Sequence, residues 1–252
     1  GLNRIFILTQ FNSTSLHRHI LMSYHFDRFS KGFAEILAAQ QSPQYNVEHS
    51  WYEGTADAVR KNLLRFRDSG GEEVLILSGD QIYRMDYTDV LRTHRCVMGD
   101  GSADVTIATL LVSRERARSL GVMKISPEGD VLDFVEKPGK NDALFDGLEA
   151  PPALLKRFGL PETGEPMFLA NMGIYVFGLA QLEKALDNSF CDFGKEILPG
   201  LLDGYKVRAH LFDGYWEDIG TIRAFHQSNI ELASASPRFD FYQAEAPIYT
   251  RE

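Results

Sequence analysis

The sequence predicts an α/β fold in which a mixed, mainly parallel central sheet is flanked by helices. Two observations support this prediction. Apolar runs of strand length alternate with amphipathic helical segments in the first half of the chain, and a hairpin pattern follows in the second half. Alternating strands and helices are typical of a doubly wound parallel core, whereas a hairpin adds antiparallel pairing. With 252 residues, of which 44% are hydrophobic, the chain is long enough to bury a large core.

The elements of the first half follow from the spacing of apolar residues. In the helix that begins near Thr55, apolar side chains recur at intervals of three, four and three residues from Ala56 to Phe66, which marks one buried face. In chain order we predict a strand at 4–9, a helix capped by Asn12 and Ser13, a polar region at 31–46, a short segment at 47–49, the helix from Thr55, a strand at 74–78, a helix at 86–95 and a strand at 104–112.

The second half begins with the predicted hairpin. Gly121–Ile125 and Val131–Val135 flank a turn-forming segment at 126–130. Residues 139–166 contain four prolines and four glycines, and we expect a long excursion there with one short helix near 153–158. We then predict a strand at 168–177, a short helix opened by 192–196 and stopped at Pro199, a strand at 206–212 and a helix that Thr221 caps and that runs to about Ala233.

Charge and cysteine content exclude several classes of protein. A net charge of −9 and a pI of about 5.3 argue against a nucleic acid or an anionic membrane as partner, because both need a cationic face. No apolar stretch approaches the roughly 18 residues of a membrane span. Cys96 and Cys191 lack CxxC spacing, which fits a reducing compartment. We therefore expect a cytoplasmic protein that binds neither nucleic acid nor membrane.

Asp80 and Asp218 are the best candidates for metal ligands. Asp80 follows the apolar run at 74–78 and Gly79, and Asp218 lies in the glycine-containing segment 215–221. Strand ends line the ligand crevice of an open α/β sheet, so two such ends can bring both acids to one Mg²⁺ ion. Taken singly, Asp80 also suits a cap on the following turn, and Asp218 also suits a residue that precedes a helix.

Other polar side chains at strand and helix ends suit a phosphate and a sugar. Lys137 can bind a phosphate and Glu136 can accept hydrogen bonds from hydroxyls, although an exposed ion pair explains both equally well. Tyr52 precedes a helix N-terminus, where free amides favour an anion and an aromatic ring can stack on a base; an ordinary capped helix is the alternative. Asp192 and Lys195 suit an N-cap and a phosphate contact.

Seven segments, spread over nearly the whole chain, follow the order of a known family. They are Leu8–Ser13, Trp51–Val59, Gly79–Tyr87, Phe134–Pro138, Gly173–Phe177, Asp192–Glu196 and Trp216–Thr221. On these segments the chain resembles the glucose-1-phosphate adenylyltransferases, also called ADP-glucose pyrophosphorylases. The Trp-Tyr-x-Gly-Thr-Ala-Asp-Ala and Tyr-Arg-Met-Asp-Tyr patterns are specific to that family rather than to sugar nucleotidyltransferases in general.

The resemblance implies a Rossmann-like nucleotidyltransferase domain that converts ATP and glucose 1-phosphate to ADP-glucose and pyrophosphate for glycogen or starch synthesis. It implies that Asp80 and Asp218 bind Mg²⁺ and that Lys137 takes part in catalysis with them. The substrate-binding residues that it implies are Tyr52, Gly121, Glu136, Lys137, Asn171, Asp192 and Lys195. It further implies a small-molecule allosteric effector, a homotetramer for the full-length protein and, in a plant, a plastid location.

The chain also departs from the family pattern. Gln81 replaces a common histidine and Asn171 replaces the usual serine; because an amide still bonds a sugar hydroxyl, we expect altered affinity and not lost chemistry. The family's glycine-rich nucleotide loop is expected before residue 1. We expect a catalytic domain at 1–233 and a linker towards a left-handed β-helix at 234–252, and we expect the 252 residues by themselves to be inactive.

Two other functions remain compatible with the sequence. One is a sugar-1-phosphate nucleotidyltransferase that uses UTP, dTTP or GTP. The other is a non-catalytic regulatory subunit that keeps the same fold. Asp80, Asp218 and Lys137 argue against the regulatory subunit, since such a subunit has no need of phosphate-binding and metal-binding groups.

Overall fold

Strands and helices alternate along the chain much as the sequence predicts. A computed structural model describes residues 2–27, 29, 32–39, 51–95, 101–157, 159 and 165–248. The strands are β1 (Arg4–Thr9), β2 (Phe33–Ala38), β3 (Glu73–Leu77), β4 (Gln81–Tyr83), β5 (Val105–Ser113), β6 (Gly121–Ile125), β7 (Val131–Glu136), β8 (Met167–Gly178), β9 (Val207–Phe212) and β10 (Trp216–Asp218). The helices are α1 (Thr14–Ser23), α2 (Thr55–Arg60), α3 (Leu63–Asp68), α4 (Tyr87–Arg95), α5 (Arg114–Ala117), α6 (Pro152–Arg157), α7 (Leu179–Ala185), α8 (Leu198–Leu201) and α9 (Ile222–Leu232).

The chain divides into two structural units. The first consists of residues 1–71, 188–192 and 240–252, and the second of residues 72–187 and 193–239. Among the described residues, no helix combines the length and the hydropathy that a membrane crossing requires.

A six-stranded mixed sheet is the centre of the second unit. Its strands are ordered β7-β6-β8-β5-β9, and β3 also pairs with β8. Strand β8 runs antiparallel to β3, β5 and β6, strand β7 runs antiparallel to β6, and β5 and β9 are parallel. Four of the six strands therefore share one direction. Helices α4, α5 and α7 pack against this sheet, so the predicted α/β fold with a mixed central sheet and flanking helices is confirmed.

Two strands share one edge of the long strand β8. Strand β6 pairs with β8 at Leu169 and Ala170, whereas β3 pairs with it from Ile174 to Gly178. Residues 171–173 therefore lie where β6 begins and β3 ends. Side chains that follow β3 or precede β6 are brought together along this short stretch.

A bulge distorts β8 at the same place. Because the register shifts between Ile107 and Thr109 of β5, Ala108 alone faces three residues of β8, 172–174. Gly173 has a φ of 71°, a conformation that costs glycine much less than any residue with a side chain. The bulge is held in a rigid environment, because β5 and β8 are buried along most of their length.

The first unit is built on β1 and β2, which are parallel. The ring of Phe6 on β1 lies 5.1 Å from the ring of Phe33 on β2 and 5.1 Å from that of Phe66 on α3. Strand β2 lies within the region that was predicted to be polar, so that prediction is wrong. The strand was missed because polar residues on either side of β2 lower the average hydropathy of the region.

Two further local predictions are corrected. The predicted helix from Thr55 is divided into α2 and α3 at Asn62, whose side-chain amide donates to the carbonyl of Ala58 at 2.8 Å. Such bonds to the backbone compete with a continuous helix. Pro199 does not stop a helix but lies in the first turn of α8, where its missing N–H has no intrahelical acceptor. The predicted segment at 47–49 lies outside the described residues.

Candidate active site

Strand pairing brings Asp80 and Asp218 together. Strands β4 and β10 are antiparallel, and Gln81, the residue after Asp80, pairs directly with Asp218. The N–H of Ile219 donates to the carbonyl of Asp80 at 2.9 Å, which extends the pairing beyond β10. Two segments far apart in sequence therefore place their acidic residues side by side, as the sequence predicts.

The two carboxylates meet above Gly220. A β-carbon at Gly220 would lie 3.0 Å from Oδ2 of Asp80 and 3.0 Å from Oδ1 of Asp218, so these oxygens are no more than twice that distance apart. The hydroxyl of Ser78 donates to Oδ1 of Asp80 at 2.5 Å, and the N–H of Gly220 donates to Oδ1 of Asp218 at 2.8 Å. Each carboxylate is thus oriented by a local hydrogen bond.

This pair has the chemistry of a magnesium site. Both side chains are exposed, and neither forms an ion pair with a lysine or arginine of the described residues. Two neighbouring negative charges repel each other until a cation lies between them. Among the described residues, no group of three or more His, Cys, Asp or Glu side chains is placed to hold a metal. Asp80 and Asp218 could still hold Mg²⁺, because this ion commonly takes one or two carboxylates and completes its shell with water and phosphate oxygens.

Glu136 occupies a slot between two glycines. Gly121 pairs with Glu136 across the hairpin, and a β-carbon at Gly121 would lie 2.7 Å from Oε2 of Glu136. A β-carbon at Gly194 would lie 3.0 Å from the same oxygen. The slot exists because neither glycine has a side chain. Gly121, which the resemblance places at the substrates, therefore contacts another of the implied substrate-binding residues.

Lys137 extends from a tightly held turn at the end of β7. Its φ is 46°, which is unusual for a residue with a side chain. Its side chain is 61% exposed, and Nζ lies 3.8 Å from Oε1 of Glu136. The N–H of Lys137 donates to the carbonyl of Leu120 at 3.2 Å, and Arg118 donates from Nη1 to the carbonyl of Gly139 at 3.1 Å. The turn therefore presents a mobile ammonium group from a fixed backbone.

The strands that lead to the two groups, β3 and β6, pair with the same edge of β8. Val122, next to Gly121, pairs with Ala170, and Leu77, three residues before Asp80, pairs with Ile174. Four residues of a strand span about 13 Å. The acidic pair and the slot that holds Glu136 both lie in the second unit, and each follows or adjoins a strand on this edge of β8.

Asn171 lies between these two groups, and its amide is already bonded within β8. Its Oδ1 accepts from the N–H of Gly173 at 2.9 Å, and its Nδ2 donates to the hydroxyl of Tyr175 at 2.9 Å. A sugar hydroxyl would have to share these groups or displace them. Lys195 is exposed on the π-helical turn Phe193–Ile197, in the same unit.

Tyr52 and Asp192 lie in the first unit. The hydroxyl of Tyr52 donates to the carbonyl of Leu37 at 3.2 Å and accepts from Asn62 at 3.0 Å. The carbonyl of Cys191, which precedes Asp192, accepts from the N–H of Ala56 at 2.9 Å. The N-terminus of α2 is therefore capped by the chain itself, so the free amides that the sequence suggested are not available there.

Gly194 and Arg118 contribute to the site although the sequence gave little sign of it. Gly194 stands within a segment predicted to open a helix, and a glycine at such a position can indicate close approach of another group. Arg118 has no sequence signal, because its partner Gly139 lies beyond the hairpin. Its role follows only from the folded structure.

Paired carboxylates, with a lysine and a glutamate in the same unit, are groups that could bind a phosphate-bearing ligand and its metal ion. The family model described as nucleotidyl transferase matches residues 1–235 of the chain. The chain therefore belongs to the nucleotidyl transferase family. This membership confirms the predicted class, a nucleotide-binding transferase of the sugar-1-phosphate nucleotidyltransferase type.

Proposed function

We propose that the protein is a glucose-1-phosphate adenylyltransferase, which makes ADP-glucose and pyrophosphate from ATP and glucose 1-phosphate. The observation that carries the proposal is the meeting of Asp80 and Asp218 above Gly220, in the same unit as Glu136 and Lys137. The choice of ATP and glucose 1-phosphate rests on the seven family-like segments.

The reaction requires an oxygen of the sugar phosphate to attack the α-phosphorus of ATP while pyrophosphate leaves. Mg²⁺ bound by Asp80 and Asp218 would supply positive charge beside the triphosphate. Lys137 offers a point positive charge to the sugar phosphate, and its flexible side chain can follow that group. Glu136, held between its two glycines, offers acceptors for sugar hydroxyls. Catalysis then depends on positioning and charge neutralisation, without a covalent protein intermediate.

The first prediction tests the acidic pair. In the complete natural protein, Asp80→Asn and Asp218→Asn should each lower kcat for pyrophosphate release by at least about 100-fold, because an amide cannot supply the anionic ligand that Mg²⁺ requires. The fold should persist, since both side chains are exposed. Asp203→Asn is the matched control, because Asp203 is also exposed. Near-normal turnover by either site variant would refute the assignment.

The same assay separates the alternatives. Wild-type protein is given ATP, UTP, dTTP and GTP in turn, each with glucose 1-phosphate and Mg²⁺. A clear preference for ATP supports the proposal, whereas a preference for another nucleotide indicates a different sugar-1-phosphate nucleotidyltransferase. Binding of nucleotide without release of pyrophosphate in any mixture indicates a regulatory subunit.

A further inference from the structure

The side chain of Gln81 joins three strands at the candidate active site. Its Oε1 accepts from the indole Nε1 of Trp216 on β10 at 3.0 Å, and its Nε2 donates to the carbonyl of Met172 on β8 at 2.5 Å. Gln81 itself begins β4, directly after Asp80. One amide therefore links the strand after Asp80, the strand that ends in Asp218 and the bulged strand β8.

The bulge explains why an amide is needed at this position. The carbonyl of Met172 belongs to the bulge, where the regular ladder between β5 and β8 is interrupted. Met172 is fully buried, and a buried carbonyl without a donor costs about 1–3 kcal/mol. Trp216 is also buried, with 3% of its surface exposed, so its indole N–H requires an acceptor. Gln81 supplies the donor and the acceptor at once.

We infer that Gln81 is a positioning residue that sets the distance between Asp80 and Asp218. This inference rests on the proposed function of the acidic pair. Backbone pairing joins β4 to β10, but this two-stranded ribbon has only three residue pairs, and ribbons this short are marginal without further support. The amide of Gln81 anchors the ribbon to β8, the rigid centre of the unit. The role is distinct from the sugar contact that its replacement of histidine suggests.

The test is Gln81→Met, which keeps the length of the side chain and removes both hydrogen bonds. In the complete natural protein, the Mg²⁺ concentration for half-maximal rate should rise about tenfold, as is usual when a residue that supports metal ligands is lost. The KM for the sugar phosphate should stay within about twofold, because Glu136 and Lys137 lie on other strands. Gln227→Met, at an exposed position on α9, is the control.

A direct measurement separates this inference from the proposed function. Binding of Mn²⁺ to the nucleotide-free protein, followed by electron paramagnetic resonance, reports the acidic pair whether or not turnover occurs. Gln81→Met should weaken Mn²⁺ binding about tenfold. Unchanged Mn²⁺ affinity and an unchanged Mg²⁺ requirement would overturn the role of Gln81. Absence of turnover in wild-type protein that binds Mn²⁺ would instead count against the proposed function.

A double-mutant cycle completes the experiment. Trp216→Phe removes the same hydrogen bond from the other side and keeps an aromatic ring, so it also serves if Gln81→Met fails to fold. If the two residues act through their shared bond, the double variant should be little worse than the more defective single variant. Strictly additive losses of Mn²⁺ affinity would overturn the inference.

Discussion

At Gly220 the candidate site depends on the absence of a side chain. A β-carbon there would lie 3.0 Å from an oxygen of Asp80 and 3.0 Å from an oxygen of Asp218, so both carboxylates would have to shift by a few tenths of an ångström. Gly220 also donates its N–H to Asp218 at 2.8 Å, so it both admits and orients the acidic pair.

We therefore expect Gly220→Ala to lower kcat/KM about tenfold, less than the roughly 100-fold effect of a full 1 Å displacement at a catalytic site. Gly220 is exposed, so the melting temperature should change little. Pyrophosphate release and thermal unfolding of the complete protein measure the two quantities. Gly200→Ala is a suitable control, because nothing lies within 4 Å of its added β-carbon. Full activity in a folded Gly220→Ala variant would show that the carboxylates do not need this space.

Among the elements, the turn after β7 illustrates how one arginine fixes a loop. The N–H of Gly139 donates to the carbonyl of Arg118 at 3.0 Å, and the guanidinium of Arg118 donates to the carbonyl of Gly139 at 3.1 Å. The guanidinium also pairs with Asp142 at 2.9 Å. Backbone and side chain of one residue thus hold both backbone groups of Gly139, two residues after Lys137.

Arg118→Met should loosen this turn while leaving the acidic pair in place. The KM for glucose 1-phosphate should rise about tenfold, the loss expected when a hydrogen bond from a charged group that orders a binding lysine is removed. The KM for the nucleotide should remain within about twofold of the wild-type value. Steady-state kinetics with each substrate varied in turn gives both constants. Arg223→Met, on the exposed surface of α9, controls for loss of charge. Equal increases in both KM values would contradict a specific role for the turn.

The elements also show which features can be predicted from sequence. Strands β3, β6, β7 and β8 were predicted because each is an apolar run bounded by glycine or polar residues, and Asp80 and Asp218 were paired because each follows such a run. Lys137 was predicted as a phosphate ligand from its place at the end of a strand, but its backbone conformation was not predicted. A residue before proline is usually extended, yet Lys137 has a φ of 46° because the backbone of residues 118–120 holds it there. The two hydrogen bonds of the Gln81 side chain could not be predicted either, since Met172 and Trp216 are far away in sequence.

Across the molecule, two histidines are built into the packing of α4 on the central sheet. His94 on α4 is 2% exposed, and its Nδ1 lies 3.0 Å from the hydroxyl of Thr106 on β5. His210 on β9 places its Nδ1 2.8 Å from the hydroxyl of Thr93 on α4. Burial lowers the pKa of both histidines, and nearby carboxylates only partly oppose this shift. Folding therefore favours the neutral form of each.

The last prediction concerns stability against pH. Each histidine has a folded-state pKa below its unfolded value of about 6.5, so below that pH the unfolded chain binds more protons. The free energy of unfolding should therefore be fully retained above about pH 6.5 and should fall as the pH decreases towards the folded-state values. Glu73 does not contribute in this pH range. Arg95 lowers its pKa, so the stability that Glu73 provides is lost only below about pH 4.5.

Urea unfolding at about pH 7.5 and about pH 5.5 measures this loss of stability. His94→Gln and His210→Gln should each reduce the difference between the two pH values by up to about 1.4 kcal/mol, because pH 5.5 lies only about one unit below the unfolded-state pKa. Glutamine keeps a hydrogen-bonding group beside the threonine hydroxyl and does not titrate. His226→Gln is the control, because His226 is exposed on α9 and should leave the difference unchanged. If His94→Gln and His210→Gln lose as much stability on acidification as wild type and the control do, the loss comes from carboxylates and not from the two histidines packed at α4.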